Sequence, residues 1–288
     1  MSRRNVAITG AGGFVGSHLA RGFEEAGWAV TRFSHSASGA DPTTVRFHLG
    51  EAVDPAEFQQ REIGSLVHCA YDFERLTREE IESVNVEGTR LLLEAARAGG
   101  VERMVVTSSI SAFPGCRSKY GRAKLAIEAA AAELGALVIR SGLVYSDGPS
   151  DEGGMFGSLA RSARRGLVPL LDGGGHPQYL IHVADLFHLV RAYCLGELAD
   201  PGRPLLAASP RAWSLRDLVA ALARRQGRRP RFLPIPWQPV WAGLRLAELA
   251  HLRVPYRSDS VISLVHQDPR PDFETLAATG IAAREFRG

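Results

Sequence analysis

The chain has 288 residues, 45% of them hydrophobic and 23% charged, which is typical of a globular protein with one or two domains. Its 34 lysines and arginines exceed its 31 acids by only 3 and are spread along the sequence, so we expect neither nucleic acid nor a membrane as a partner. The three cysteines, Cys69, Cys116 and Cys194, lack CxxC or histidine-rich spacing and indicate neither a disulfide framework nor a metal site.

The N-terminus passes directly into an apolar segment. Residues 1–4 are followed by the β-rich run 5–9, which leaves no space for a signal peptide. No apolar run approaches the roughly 18 residues needed to cross a bilayer. Together with the low cysteine count, these observations predict a cytoplasmic protein.

Short apolar runs rich in β-branched residues alternate with helical patterns over the first half of the chain. The predicted strands are 6–9, 29–33, 45–49, 66–70, 104–107 and 137–140, and the predicted helices are about 14–26, 78–98 and 118–134. Strands that alternate with helices form a parallel sheet covered on both faces. The sequence therefore predicts an α/β fold with a doubly wound Rossmann domain over residues 1–145.

The alternation breaks near Ser146, where the glycine- and aspartate-rich stretch 147–154 predicts a loop. Beyond it we predict a smaller C-terminal substrate-binding cap over 146–288, of which about 178–210 returns to the Rossmann sheet. The predicted elements there are helices at about 155–165, 183–195, 214–227 and 239–251 and a strand at about 178–182, with a proline-rich stretch at 230–239. A basic run at 224–231 is interpreted as a solvated helix end.

A glycine array follows the first predicted strand and opens a helix. Gly10, Gly13 and Gly16 stand at intervals of three, with Phe14 and Val15 between the last two. Gly10 permits a tight turn, Gly13 a close approach of the backbone to a pyrophosphate, and Gly16 close packing of helix on strand. This context predicts a dinucleotide site at the helix N-terminus.

The end of the second strand bears on the choice of dinucleotide. An acid there would hydrogen-bond the ribose 2′-hydroxyl of NAD, but the chain reads Arg32, Phe33, Ser34, His35. Arg32, Ser34 and His35 are suited to a 2′-phosphate, which favours NADP over NAD. The alternative is that Arg32 points to solvent and His35 is an ordinary loop residue.

Tyr120 and Lys124 stand four residues apart on a predicted helix. A cation on the same helix face favours the phenolate and should lower the tyrosine pKa from about 10 towards neutrality, which suits proton transfer to an alcohol or carbonyl oxygen. An exposed helical pair is the alternative interpretation. The fifth strand delivers Ser108, Ser109 and Ser111 to the sheet edge where open α/β sheets bind ligands.

The chain resembles the extended short-chain dehydrogenase/reductase family of the NAD-dependent epimerase/dehydratase type. The glycine array, the serine, tyrosine and lysine, and the segments 140–145 and 181–186 occur in family order. The resemblance implies that Ser109 holds the substrate oxygen beside Tyr120 and that Lys124 also contacts the nicotinamide ribose. It further implies cofactor contacts at Glu51 by the adenine and at Cys69, Ala70 and Asn85, and a homodimer formed through the helices at 78–98 and 118–134.

Many relatives act on nucleotide sugars, but the chain departs from their pattern. Leu143 stands where an asparagine often holds the diphosphate, and in the region 175–180, where an arginine often does so, the nearest basic residue is His176. The predicted substrate contacts are Ser109, Ser111, Tyr120, Leu143 and Gln178. We expect an NAD(P)-dependent oxidoreductase or epimerase of a sugar-like or nucleotide-sugar substrate; the alternatives are an NADPH-dependent reductase of an aromatic or alicyclic ketone and a non-catalytic dinucleotide sensor.

Overall fold

A computed structural model describes residues 4–35, 41–148, 153–252, 254 and 256–288. The central sheet is parallel and has seven strands in the order β10-β6-β5-β4-β1-β2-β3. These strands are β1 (Asn5–Thr9), β2 (Ala29–Ser34), β3 (Thr44–Arg46), β4 (Ser65–His68), β5 (Arg103–Ser109), β6 (Leu137–Ser141) and β10 (Leu205–Ala207). The predicted Rossmann fold class is confirmed.

The helices of the described residues cover both faces of the central sheet and build the remaining part of the molecule. They are α1 (Phe14–Glu25), α2 (Ala56–Gln60), α3 (Arg78–Ile81), α4 (Gly88–Ala98), α5 (Lys119–Glu133), α6 (Gly154–Ala163), α7 (Val183–Cys194), α8 (Leu215–Arg225), α9 (Trp237–Leu249), α10 (Ser258–Val265) and α11 (Glu274–Ala277). A π-helical turn, Glu82–Glu87, joins α3 to α4. One buried layer packs α1 and α7 on the sheet, and a second packs α4 and α5 on its other face.

The second half of the chain contributes both to the central sheet and to a separate core. β10 extends the central sheet beside β6, and α7 packs against α1. A third core contains side chains of α6 and α8 and of two small sheets, which are β7 (Leu143–Tyr145), β9 (Pro177–His182) and β11 (Ala212–Ser214) in one and β8 (Leu167–Leu171) and β12 (Arg231–Ile235) in the other. The division at residue 145 stays a prediction, and part of the predicted loop, 149–152, lies outside the described residues.

Two elements differ from the sequence expectation. The third strand ends at Arg46 rather than near residue 49, because the chain turns at Gly50, whose φ of +100° is not a strand conformation. The proline-rich stretch contains β12, which pairs with β8 in a two-stranded sheet. Pro234 is tolerated there because an edge strand has a side with no partner. No helix among the described residues is long and apolar enough to cross a membrane.

Candidate active site

The glycine array forms a turn in which side chains have no space. Gly10 has φ of +67°, and a Cβ on it would lie 2.8 Å from the Ala70 nitrogen. A Cβ on Gly16 would lie 2.3 Å from the Gly10 oxygen, so the first turn of α1 presses against the loop. Gly13 is the N-cap of α1, and no side chain among the described residues caps this end.

This turn fits the pyrophosphate of a dinucleotide. The uncapped N–H groups of Phe14, Val15 and Gly16 begin α1, where the helix dipole favours an anion. Cys69 and Ala70 lie against the turn at the end of β4, so the structure brings together seven of the predicted cofactor contacts: Gly10, Gly13, Phe14, Val15, Gly16, Cys69 and Ala70. When bound, the nicotinamide would supply or take up a hydride.

The end of β2 carries the three residues predicted to select NADP. The Arg32 guanidinium donates to Glu24 at 2.6 Å across the face of α1. His35 is exposed and directly follows Ser34, the last residue of β2. The Arg32–Glu24 pair is surface-exposed, and such pairs contribute about 0–1 kcal/mol, so it does not fix the guanidinium in place.

Glu51 is exposed on the turn that follows Gly50. A Cβ on Gly88 would lie 2.4 Å from the Gly50 nitrogen, so α4 and this turn are in close contact. The contact fixes the backbone position from which the Glu51 side chain extends. The role of Glu51 beside the adenine stays a prediction.

A buried hydrogen-bond chain fixes the end of β4. Thr9 Oγ1 accepts from the Cys69 and Ala70 N–H groups at 3.1 and 3.2 Å, so its own proton is donated to His68 Nδ1 at 2.7 Å. His68 Nε2 then donates to Thr89 Oγ1 at 2.9 Å, and Thr89 donates to the Asn85 carbonyl oxygen at 2.6 Å. Burial lowers the pKa of His68 to about 3, and Lys124 adds to this shift. His68 is therefore a neutral structural group.

Asn85, predicted to contact the cofactor, directs its side chain to the protein backbone. Its Oδ1 accepts from the Asp72 N–H at 2.7 Å, and its Nδ2 donates to the Asp72 carbonyl at 3.1 Å. Asn85 lies in the π-helical turn, a local widening that often occurs at functional sites. It fixes the loop after β4 instead of leaving its amide for a ligand.

Ser109, Tyr120 and Lys124 converge at the carboxyl edge of the sheet. Ser109 ends β5 and hydrogen-bonds Tyr120, which lies in the first turn of α5. Lys124 is buried one turn later, donates from Nζ to the Thr107 carbonyl at 2.9 Å, and lies 5.9 Å from the centre of the Tyr120 ring. The structure therefore brings together the three residues predicted for proton transfer, while their roles stay a proposal.

The expected lowering of the Tyr120 pKa is wrong for this structure. Burial raises the pKa of Tyr120 to about 12, and the hydrogen bond with Ser109 opposes that shift. Burial also lowers the pKa of Lys124 to about 8. The phenol is consequently protonated near neutral pH, which suits donation of a proton to a carbonyl oxygen.

A buried ion pair attaches α5 to the sheet. The Arg140 guanidinium donates to both Glu128 oxygens, at 2.9 and 2.6 Å, and the Ser108 hydroxyl donates to Glu128 Oε1 at 2.5 Å. Ser108 is thus committed to this network and leaves Ser109 as the serine beside the tyrosine. The sequence analysis did not identify Glu128, although its position four residues after Lys124 places both on one helix face.

Aromatic side chains line the approach to Tyr120. Tyr71 packs edge-on against the Tyr120 ring at 5.1 Å, and Phe73 stacks on it at 5.7 Å. Lys124 Nζ lies 5.0 Å from the Tyr71 ring centre. Phe73 is 64% exposed although it lies beside the buried proton-transfer group. Sequence analysis missed both aromatics, whose only signal was their position directly after a strand end.

The other predicted substrate contacts are less polar than a diphosphate would require. Leu143 is partly buried in β7 and pairs with Leu180. Gln178 is the second residue of the neighbouring strand β9, and its amide donates to the Pro177 carbonyl at 2.8 Å. Ser111 lies in the turn after β5, where its N–H donates to Ser109 Oγ at 3.1 Å.

The cap contacts the helix that carries the tyrosine. Asp259 of α10 accepts from the backbone N–H groups of Lys119 and Tyr120 at 2.7 and 3.0 Å. These donors lie in the first turn of α5 and have no partner within the helix. Sequence reasoning could not identify Asp259, because 139 residues separate it from Tyr120.

Comparisons with known proteins identify a matching family and related sequences. The sequence profile described as the NAD dependent epimerase/dehydratase family matches residues 6–196. A ceramide reductase of Caulobacter vibrioides is 30% identical over 248 residues, which cover 82% of this chain and 74% of that protein. Short-chain dehydrogenase/reductase family 42E member 1 of Bos taurus is 27% identical over 232 residues, covering 68% of this chain and 59%, less than two thirds, of that protein.

Solved structures share the architecture. The structure of MoeE5 in complex with UDP-glucuronic acid and NAD has a TM-score of 0.66, at 23% identity and with 96% of this chain and 97% of that chain covered. At this identity the likeness shows the fold alone.

Proposed function

The chain belongs to the NAD-dependent epimerase/dehydratase family of extended short-chain dehydrogenases, and from this premise we propose that it is an NAD(P)-dependent reductase of a hydrophobic ketone. The observation that carries the proposal is the aromatic lining of Tyr71 and Phe73 against Tyr120. Aromatic rings bury apolar substrate surface and leave a protonated phenol at its end. The Caulobacter relative is by name a reductase of a lipid, which supports the same substrate class.

In the proposed reaction, the ketone oxygen lies between Ser109 and Tyr120. The Ser109 hydroxyl holds this oxygen, and Tyr120 Oη donates its proton to it as the carbonyl carbon is reduced. The Lys124 ammonium, fixed by the Thr107 carbonyl, stabilises the phenolate that Tyr120 becomes. Solvent then returns the proton to Tyr120, so each turnover consumes one ketone, one hydride and one proton.

The sequence analysis favoured a sugar-like or nucleotide-sugar substrate over an aromatic or alicyclic ketone, and this proposal reverses that order. Leu143 offers no hydrogen bond to a diphosphate, and the Gln178 amide already donates to Pro177. These observations weigh against a nucleotide sugar. Ile110 and Ser111 stand where a dehydratase would need an acid beside the serine, so dehydration ranks last.

Parallel assays of two substrate classes test the proposal. A long-chain 3-ketone and an aromatic ketone should drive net NAD(P)H oxidation, whereas UDP-glucose should be neither reduced nor isomerised. Tyr120→Phe should lower kcat by about 10²–10⁴-fold while retaining cofactor binding. Phe73→Ala should raise KM for the long-chain ketone and leave KM for cyclohexanone nearly unchanged. Isomerisation of UDP-glucose without net cofactor oxidation would overturn the proposal.

The preference for NADP is a second, separable proposal. It is supported by Arg32 and His35 at the end of β2, because the strand itself carries no acid that would bind the ribose 2′-hydroxyl of NAD or oppose a 2′-phosphate. Arg32→Ala should raise KM for NADPH and leave KM for NADH unchanged, and Glu24→Gln, which removes the partner of Arg32, should lower KM for NADPH. An equal effect of Arg32→Ala on both cofactors would contradict this preference.

A further inference from the structure

Helix α9 has an inverted distribution of polar and apolar side chains. Of its two charged residues, Glu248 is 8% exposed and faces inward, where it accepts from the Ser258 N–H and hydroxyl at 2.7 and 2.8 Å. The other, Arg245, pairs with Glu248 at 3.4 Å. The outward face has no charge and consists of Pro239, Ala242, Gly243, Leu246, Leu249 and Ala250, all exposed. A helix on a protein surface normally presents the opposite pattern.

The apolar surface continues beyond the helix. Leu246, Leu249 and Leu252 are 66%, 62% and 61% exposed. We define the apolar patch as Leu246, Leu249, Leu252 and Tyr256. Single exposed apolar residues are ordinary, but a contiguous cluster of this size marks an interaction surface.

Arginines surround the patch in sequence. Residues 224–257 contain eight arginines and one acid, the buried Glu248, although the whole chain has a net charge of only +3. β12 begins at Arg231 and enters α9 through the single residue Pro236, and Arg257 precedes α10 on the other side. The positive charge is therefore concentrated in the stretch of sequence that carries the apolar face, where Arg245 precedes Leu246 and Arg257 follows Tyr256.

We propose that the apolar patch docks on the surface of an anionic phospholipid bilayer. An apolar helix face with arginines next to it in sequence, followed by a tyrosine, matches the composition of helices that lie in the membrane interface. The arginines attract anionic headgroups while the leucines enter the acyl boundary. α9 is 13 residues long, about 20 Å, so it lies on a bilayer and does not cross one.

The charge distribution favours a bilayer over a second copy of this chain. A symmetric dimer through the patch would bring the arginine-rich segments of both protomers together, and like charges oppose such contact. The proposal departs from the sequence expectation of no membrane partner, which rested on the total charge. It does not depend on the proposed ketone substrate, because docking is measured without turnover.

Vesicle flotation with the purified full chain tests the proposal. Vesicles of phosphatidylcholine with about one third phosphatidylglycerol should carry the protein upward, vesicles of phosphatidylcholine alone should do so far less, and high salt should release it. Leu246→Glu with Leu249→Glu should weaken binding at least tenfold. Met155→Glu, at a similarly exposed apolar residue of α6, is the matched control and should bind like the parent chain.

Three results would overturn the proposal. The first is no flotation of the parent chain with either vesicle, and the second is equal flotation of the double variant. The third is a double variant that halves the mass measured by light scattering, which would identify the patch as a contact between copies. Both leucines are exposed, so the double variant should keep the parent melting temperature, and circular dichroism checks this.

Discussion

At the scale of single residues, burial sets the protonation of the proton-transfer group. Tyr120 and Lys124 stand on one helix face, and the same burial moves their pKa values in opposite directions, to about 12 and about 8. A neutral phenol beside an ammonium is ready to donate a proton and to have the resulting phenolate stabilised. This arrangement favours the reduction direction near neutral pH.

The pH dependence of reduction follows from Lys124. Because its pKa is about 8, the ammonium loses its charge as pH rises through that value, and Tyr120 then loses the cation that stabilises its phenolate. With saturating cofactor and ketone, kcat should be level below about pH 7 and fall above about pH 8.

A variant that keeps the positive charge provides the control. Lys124→Arg stays protonated at all accessible pH values, so its kcat, although lower, should not fall near pH 8. A kcat of the parent enzyme that is constant from pH 6 to pH 9.5 would show that the charge of Lys124 is not required.

At the scale of elements, β4 and its loop are fixed by groups that are distant in sequence. Thr9, His68 and Thr89 connect β1, β4 and α4 through one chain of hydrogen bonds. Both ring nitrogens of His68 have protein partners, so this histidine holds the end of the strand in place.

This histidine should make the fold sensitive to acid. Its pKa is about 3 in the folded protein and near 6.5 when unfolded, so as pH falls below 6.5 only the unfolded state binds the proton. Stability is therefore lost as pH falls from about 6.5 towards 3, by about 2 kcal/mol at pH 5. His68→Gln should melt at a temperature that depends less steeply on pH in this range.

The comparison uses the slope with pH, because His68→Gln also removes two hydrogen bonds and lowers stability at every pH. His251→Gln, at an exposed histidine, should keep the parent slope. Parallel melting curves for the parent and His68→Gln between pH 7 and pH 4.5 would contradict the buried neutral state.

Sequence reasoning succeeded where local patterns decide the structure. Gly10 and Gly16 occupy positions that admit no side chain, and the four-residue spacing of Tyr120 and Lys124 places them on one face of α5. It failed where distant contacts decide. The shift of the Tyr120 pKa depends on burial that no local pattern describes, and the hydrogen bonds between Asn85 and Asp72 could not be read from the position of Asn85 in the sequence.

At the scale of the whole molecule, the predicted cap and the Rossmann domain meet at the proposed active site. α10 packs on α5 and on α9, so the helix with the apolar patch lies one helix away from the one that carries Tyr120. Asp259 makes the connection through two backbone hydrogen bonds. Neither the cap packing nor this contact could be predicted, because the sequence gives no pairing between residues 119–120 and 259.

Asp259 should therefore affect both stability and turnover. Asp259→Ala leaves two N–H groups of α5 without an acceptor, which should cost about 1 kcal/mol and lower the melting temperature by about 2–4 °C. It should also lower kcat for ketone reduction severalfold, because Tyr120 is one of the two donors.

Asp259→Asn retains one acceptor oxygen and should recover part of the activity. Asp268→Ala removes a similar side-chain acceptor, for the Arg270 N–H, in a loop away from the tyrosine and should leave kcat unchanged. If Asp259→Ala lowers the melting temperature but leaves kcat unchanged, Asp259 only attaches the cap and does not position Tyr120.

The fate of the transferred hydride tests the central claim most directly. The enzyme is supplied with nicotinamide cofactor deuterated at the reactive C4 position and with a long-chain ketone, and the product is analysed by mass spectrometry. If the enzyme is a net reductase, each alcohol formed should carry one deuterium on its carbinol carbon, and one oxidised cofactor should be released per alcohol. Cofactor that stays bound and unconsumed while UDP-glucose is isomerised would contradict the account.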